Sequence, residues 1–154
     1  MNVHEGNRAI GAADDRRPGF VAHEGRVLVA EDDAAMRELL AATLHADGRE
    51  VVKVASGWEM LQISMERTLS GRPEDAFGVI VTDHRMPNGD GLDMVEQLRL
   101  AGCFTPVLLI TAFADDDLRR RADGLDTMVI SKPFPLRAFR SAVSVLLSLQ
   151  ARGD

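Results

Sequence analysis

A chain of 154 residues that is 45% hydrophobic can bury most of one core, and a single domain is expected. Its 18 Lys+Arg face 24 Asp+Glu, a formal charge of -6, which leaves no basic face for a phosphate backbone and sets direct nucleic-acid binding aside. The single cysteine excludes an internal disulfide and a multi-cysteine zinc site, and no stretch approaches the roughly 18 to 20 apolar residues of a membrane span, so a cytoplasmic protein with no membrane partner is expected.

Residues 1–25 mix Gly, Pro and charge without apolar periodicity and read as a poorly ordered leader, with His4 and His23 solvated rather than bound to metal. From Arg26 onward, short apolar runs alternate with helical periodicity. Val27–Ala30 reads as a first strand, followed by the acids Glu31, Asp32 and Asp33. A helix follows on Met36, Leu39, Leu40, Thr43 and Leu44, closed by Asp47-Gly48. Val51–Ala55 reads as the second strand and Gly57 to Leu69 as the second helix, with Trp58 expected to be partly buried against the sheet. The loop S-G-R-P-E-D leads to a third strand, Val79–Thr82, ended by Asp83. Asp90 is placed to cap a helix carrying Leu92, Val95 and Leu98. Cys103, in the turn G-C-F, reads as a half-buried small hydrophobe. The run T-P-V-L-L-I-T is the fourth strand and stops at Thr111. After it, A-D-D-D-L-R-R-R-A-D-G predicts a weak, charged helix, short or mobile for want of an apolar stripe. Met128–Ser131 is the fifth strand, broken by K-P-F, and Leu136, Phe139, Val143, Leu146 and Leu147 give the last helix.

Strands and helices in strict alternation specify an α/β fold: a doubly wound five-stranded parallel sheet, order 2-1-3-4-5, in a three-layer α/β/α sandwich. Ligands of such sheets bind beyond the carboxyl ends of the strands. Glu31, Asp32, Asp33, Asp83, Thr111 and Lys132 all fall there, and none of these polar residues comes from strand two. Carboxylates about 4 Å apart repel by several kcal/mol at an effective dielectric near roughly 20, so such a rim calls for positive charge. Hard oxygen donors suit Mg²⁺, and Lys132 adds an ammonium. A cation and a lysine beside one carboxylate equip a site for phosphoryl transfer, with Asp83 as nucleophile.

The segments V-L-V-A-E-D-D-A-A-M-R, V-I-V-T-D-H-R-M-P-N-G-D-G-L, V-L-L-I-T-A and S-K-P-F, in this order, closely resemble the receiver domain of two-component response regulators, of the single-domain, flavodoxin-like type, over about residues 26–151, with 152–154 a tail. Each motif is weak alone; together, each at the end of its own strand, they are specific. The resemblance implies that Asp83 is the phosphoacceptor and that Glu31 and Asp32 hold Mg²⁺, Asp32 directly and Glu31 through water. It implies the backbone carbonyl of Arg85 as a third ligand, Thr111 as the hydroxyl that bonds the phosphoryl group, and Lys132 as the ammonium paired with it. Lys132-Pro133 is a candidate cis peptide on the same ground.

The sequence departs from the family where strand five carries an aromatic residue: Val129, or Met128, stands there, and the chain has no Tyr. The stretch Gly57 to Gly78 is longer than usual, implying an extended helix or a longer loop around Arg72-Pro73. Phe113 is expected either to hinder hydrolysis of an acyl phosphate or simply to cover a helix end.

The implied function is phosphorelay signalling: a histidine kinase or histidine phosphotransfer protein donates, and a downstream protein reads the change, with no enzymatic activity beyond the domain's own phosphotransfer and dephosphorylation. With one helix after K-P-F, the output is expected from a separate protein, a second transfer step or a domain beyond this chain. The rival readings are a phosphorylation-independent interaction module, favoured by the absent aromatic, and a metal-dependent phosphatase. The latter wants a second aspartate where Arg85 stands. Val145 and Leu149, outside the core stripe of the last helix, mark either a homodimer face or a broadly buried helix.

Overall fold

The computed structural model describes residues 25–152; the expected leader, with His4 and His23, and the end of the tail lie outside them. The elements alternate as β1 (Arg26–Ala30), α1 (Ala34–Ala46), β2 (Glu50–Val54), α2 (Gly57–Leu69), β3 (Val79–Asp83), α3 (Gly91–Leu100), β4 (Val107–Thr111), α4 (Asp116–Gly124), β5 (Thr127–Ser131) and α5 (Leu136–Arg152). All strand pairs are parallel, and the sheet order is β2-β1-β3-β4-β5.

The side-chain period of two along each strand sorts the core into two layers. Leu28, Ile80, Val107 and Leu109 pack with Met60 of α2, Leu92, Val95 and Leu98 of α3, and Leu118 and Ala122 of α4. The alternate residues Val27, Val29, Val79, Val81, Leu108 and Ile110 pack with Leu40 and Leu44 of α1 and with Phe139, Val143, Leu146 and Leu147 of α5. β3 and β4 are therefore buried along their whole length, which is why their VIV and VLLI stretches are continuously apolar rather than alternating.

Strand two begins at Glu50 rather than Val51, because Arg26 pairs with Glu50 in the register and through a 2.9 Å ion pair. It ends before Ala55, whose N–H donates instead to Glu59 Oε1 at 2.8 Å. Strand five likewise gains Thr127, which pairs with Val107. The extra length after Gly57 is a loop with one 3₁₀ turn, Pro73–Asp75, and not a longer helix.

Trp58 is not buried against the sheet: it is 54% exposed. The face α2 turns inward carries Gly57, Met60 and Ser64, and a Cβ on Gly57 would lie 2.2 Å from the Gly89 carbonyl oxygen, so this contact admits only glycine and sends its neighbour outward. Cys103 is buried rather than half-buried, inside the first core layer. Helix α4 is a regular nine-residue helix despite its charge. Asp115 caps it through Leu118 N–H at 2.8 Å, and Arg121 reaches Asp93 and, at 3.1 Å, Glu96 of α3. Val145 and Leu149 are about half exposed, which removes the broadly buried reading of α5.

Candidate functional site

β1 and β3 are neighbours in the sheet, while β2 and β4 lie on their outer sides, so the helices leaving β1 and β3 part to opposite faces. The crevice this creates receives Glu31 and Asp32 from the end of β1 and Asp83 from the end of β3. One carboxylate oxygen from each of the three lies within 4.8 Å of the others. The third acid of the run goes elsewhere: Asp33 Oδ1 caps α1, accepting from Ala35 N–H at 3.0 Å.

Glu31 is 2% exposed, and the two ends of its carboxylate differ. Oε2 accepts from Asp33 N–H at 3.1 Å, whereas Oε1 is buried with no partner among the described residues. Burial pushes the Glu31 carboxyl up to about 7, and the Asp83 charge adds to the rise; the Asp33 N–H and the Lys132 ammonium oppose it. Arg37 Nη1 donates to the Glu31 carbonyl at 2.7 Å and so fixes the peptide from which the acid pair springs.

Asp83 is 8% exposed. Lys132, following β5, brings its Nζ to 3.2 Å from Asp83 Oδ1, and the His84 N–H donates to the same oxygen at 3.0 Å. Both of these contacts fall on Oδ1, and no hydrogen bond or ion pair among the described residues reaches Oδ2. Lys132 is itself held by the sheet, its N–H donating to the Thr111 carbonyl at 2.8 Å, and the Lys132-Pro133 bond is cis.

Thr111 is buried at the end of β4, yet its hydroxyl is not bonded to Asp83. Oγ1 accepts from the Phe113 N–H at 3.1 Å and lies 3.4 Å from both His84 Nδ1 and the Phe113 carbonyl, to which its hydroxyl can donate. Arg85 is exposed in the loop after β3. Phe113 is 74% exposed, so it does not cover a helix end.

Sequence reasoning passed over His84. Its ring bridges two elements: Nδ1 faces Thr111, and Nε2 is 3.2 Å from Oδ2 of Asp90, the residue that caps α3. A histidine directly after Asp83 was the available signal. Its partners, however, are set by the approach of β3 to β4, which no local pattern displays.

The site thus offers three convergent carboxylates, a buried Glu31 oxygen lacking a donor, and an ammonium on Asp83. All ligating atoms in the cluster are oxygens, the donor type that Mg²⁺ prefers, and a hydrated ion satisfies an orphaned carboxylate oxygen through its water.

Comparison with known proteins agrees with this geometry. Residues 27–144 match the family described as response regulator receiver domain. The chain is 35% identical over 125 residues to the response regulator MprA of Mycolicibacterium vanbaalenii, covering 79% of this chain and 50% of that protein. It is also 35% identical over 124 residues to the response regulator protein PmrA of Pseudomonas aeruginosa, covering 79% and 52%. The chain thus spans about half the length of the curated relatives it matches. Among solved structures, the chemotaxis response regulator CheY4 of Vibrio cholerae superimposes with a TM-score of 0.67 at 25% identity, over 79% of this chain and 98% of that one. The receiver domain of the Francisella response regulator 1452 gives a TM-score of 0.70 at 23% identity, over 80% and 97%, a likeness of fold. The strand order, the residues gathered at the strand ends and the match along most of the chain converge: the protein belongs to the response regulator receiver domain family.

Proposed function

We propose that this chain takes a phosphoryl group on Asp83 from a phosphohistidine donor, a histidine kinase or a histidine phosphotransfer protein, and signals through altered protein contacts. One observation carries the reading: Asp83, with an open oxygen, lies between an acid pair within 4.8 Å and an ammonium at 3.2 Å. In the transfer, an Asp83 oxygen attacks phosphorus, the donor's N–P bond breaks, and the electron pair leaves with the imidazole, which takes up a proton. Lys132 is placed to pair with the phosphoryl oxygens, and the Thr111 hydroxyl to donate to one of them after turning from its resting partners.

Glu31, Asp32, Asp83 and the Arg85 carbonyl are the residues that would hold Mg²⁺, which when bound neutralises charge developing on the phosphoryl oxygens. The absent aromatic at Val129 bears on how a signal leaves the site, not on whether the site can be charged, so it does not favour the phosphorylation-independent reading. The half-exposed Val145 and Leu149 of α5 suit a homodimer face, which sedimentation with and without beryllofluoride tests: a monomer in both conditions removes it. No helix among the described residues is long and apolar enough to cross a membrane.

The deciding experiment is labelling by acetyl phosphate. The expected result is Mg²⁺-dependent label on the wild type, abolished by chelator and by Asp83→Asn. Equal labelling of the Asn variant would assign the chemistry to another residue.

A further inference from the structure

His84 uses both nitrogens of a ring that is nearly buried, its side chain 13% exposed. On one side, Nε2 lies 3.2 Å from Asp90 Oδ2. Asp90 cannot turn away, because its other oxygen accepts from the Leu92 and Asp93 N–H groups at 2.9 and 3.2 Å as the cap of α3. A carboxylate accepts only, so the proton of the neutral imidazole resides on Nε2. Nδ1 is then left with a lone pair, and it points at Thr111 Oγ1 from 3.4 Å. The Thr111 oxygen already accepts from the Phe113 N–H, so what it has to offer is its hydroxyl proton, for which Nδ1 and the Phe113 carbonyl, each at 3.4 Å, compete.

From this chain of donors we infer that His84 is a positioning residue: it holds the Thr111 hydroxyl in its resting orientation, in competition with a phosphoryl group on Asp83, and passes the loss of that bond to Asp90 at the start of α3. The inference rests on the phosphoacceptor reading above. Backbone geometry makes His84 a rigid holder. Its N–H is shared between the Ile110 carbonyl at 2.8 Å and Asp83 Oδ1 at 3.0 Å, and its carbonyl accepts from the Gly91 N–H at 2.7 Å, so its backbone does not follow Thr111 when the hydroxyl turns. At the place where strand five lacks an aromatic, Val129 is a partly buried core residue with no polar group to respond to Thr111. The His84 ring supplies a polar link from that threonine to a helix start.

The test is a double-mutant cycle read by binding of beryllofluoride with Mg²⁺ to the full chain. His84→Phe keeps the bulk of the ring and loses the acceptor at Nδ1 together with the donor toward Asp90. On the wild-type background it is expected to tighten uptake about threefold, the worth of one long neutral hydrogen bond no longer competing. On the Thr111→Val background it is expected to change nothing. Unchanged or weakened uptake on the wild-type background, or an equal change on both, overturns the inference while leaving Asp83 as acceptor. No uptake by the wild type overturns both readings. A second measurement needs no variant. ¹⁵N spectra of the neutral imidazole are expected to show the proton on Nε2 and a shift of the bare Nδ1 signal when beryllofluoride is added; a proton on Nδ1 overturns the proposal.

Discussion

Lys132 Nζ lies 3.2 Å from Asp83 Oδ1, so an ammonium delivered by β5 meets a carboxylate delivered by β3 across the end of the intervening β4. The pair is partly buried, which shields it from the screening that makes surface pairs weak. Replacing Lys132 by Met keeps the stem and removes the charge. Loss of one charge-assisted contact to the phosphoryl group, about 1.5–3 kcal/mol, predicts labelling of Asp83 by acetyl phosphate slowed roughly 10- to 100-fold. Initial rates at saturating Mg²⁺ measure it, and an undiminished rate would remove Lys132 from the chemistry.

Glu31 gives the site a pH dependence of definite sign. Its carboxyl titrates at about 7 in the fold against 4.5 for the free group, chiefly from burial. A raised carboxyl stabilises the folded state below about 4.5 and loses that contribution as pH rises toward about 7, because the folded chain must then give up a proton it holds more tightly. Glu31→Gln, which keeps the shape without the charge, is therefore expected to gain on the wild type over that interval in chelator, by an amount on the order of 3 kcal/mol at alkaline pH. Urea midpoints compared at several pH values test this, and Mg²⁺ is expected to shrink the gap. The same proton must leave when the metal binds. Calorimetric titration in buffers of different ionisation heat should show proton release near pH 6 that fades above neutrality; no release at either pH would place Glu31 outside the ion's reach.

Much of this was legible in the chain itself, for physical reasons. β1, β3 and β4 announce themselves because a strand buried on both faces must be apolar throughout, and the polar residue that ends each run marks the functional rim. What escaped depends on contacts between distant segments. Helix α4 shows only Leu118 and Ala122 on its inward face and takes the rest of its order from the Asp115 cap and from Arg121 reaching α3. Trp58 looks like an anchor until Gly57 is seen against Gly89. His84 acquires its partners only when β3 and β4 lie side by side.

Asp33 separates position from function within one run of acids. It caps α1 and its N–H holds Glu31, so its side chain is structural. Asp33→Ala should cost about 1 kcal/mol of stability, as a lost N-cap does, with Mg²⁺ affinity unchanged. A large loss of Mg²⁺ affinity would count against the assignment of the pair to Glu31 and Asp32.

Gly91 opens α3 directly beneath the acceptor. A methyl there would stand 2.2 Å from the Asp83 carbonyl oxygen and 2.9 Å from Thr82 Oγ1, so backbone must move. Gly91→Ala is expected to destabilise the fold by about 1–3 kcal/mol, as overpacking does, and to slow labelling as well, since the strand end that yields is the one carrying Asp83. An unfolding midpoint equal to that of the wild type would mean that α3 and β3 separate more freely than their contact implies.

Phe113 offers a test of how long the phosphorylated form lasts. The ring is 74% exposed and buries little, so Phe113→Ala should leave stability within about 0.5 kcal/mol. Its N–H is nonetheless tied to Thr111 Oγ1 at 3.1 Å, which keeps the residue beside the hydroxyl proposed to donate to an oxygen of the phosphoryl group on Asp83. An acyl phosphate is lost when water reaches phosphorus in line with the Asp83 oxygen, and a bulky apolar ring at the rim lowers that access without touching the reacting atoms. Removing the ring is therefore expected to speed loss of label severalfold while the rate of labelling stays the same. Chasing labelled protein after the donor is removed gives the lifetime directly. A lifetime equal to that of the wild type would leave Phe113 as an exposed residue available to a partner, and would assign the persistence of the phosphoryl group to the buried carboxylates and Lys132 alone.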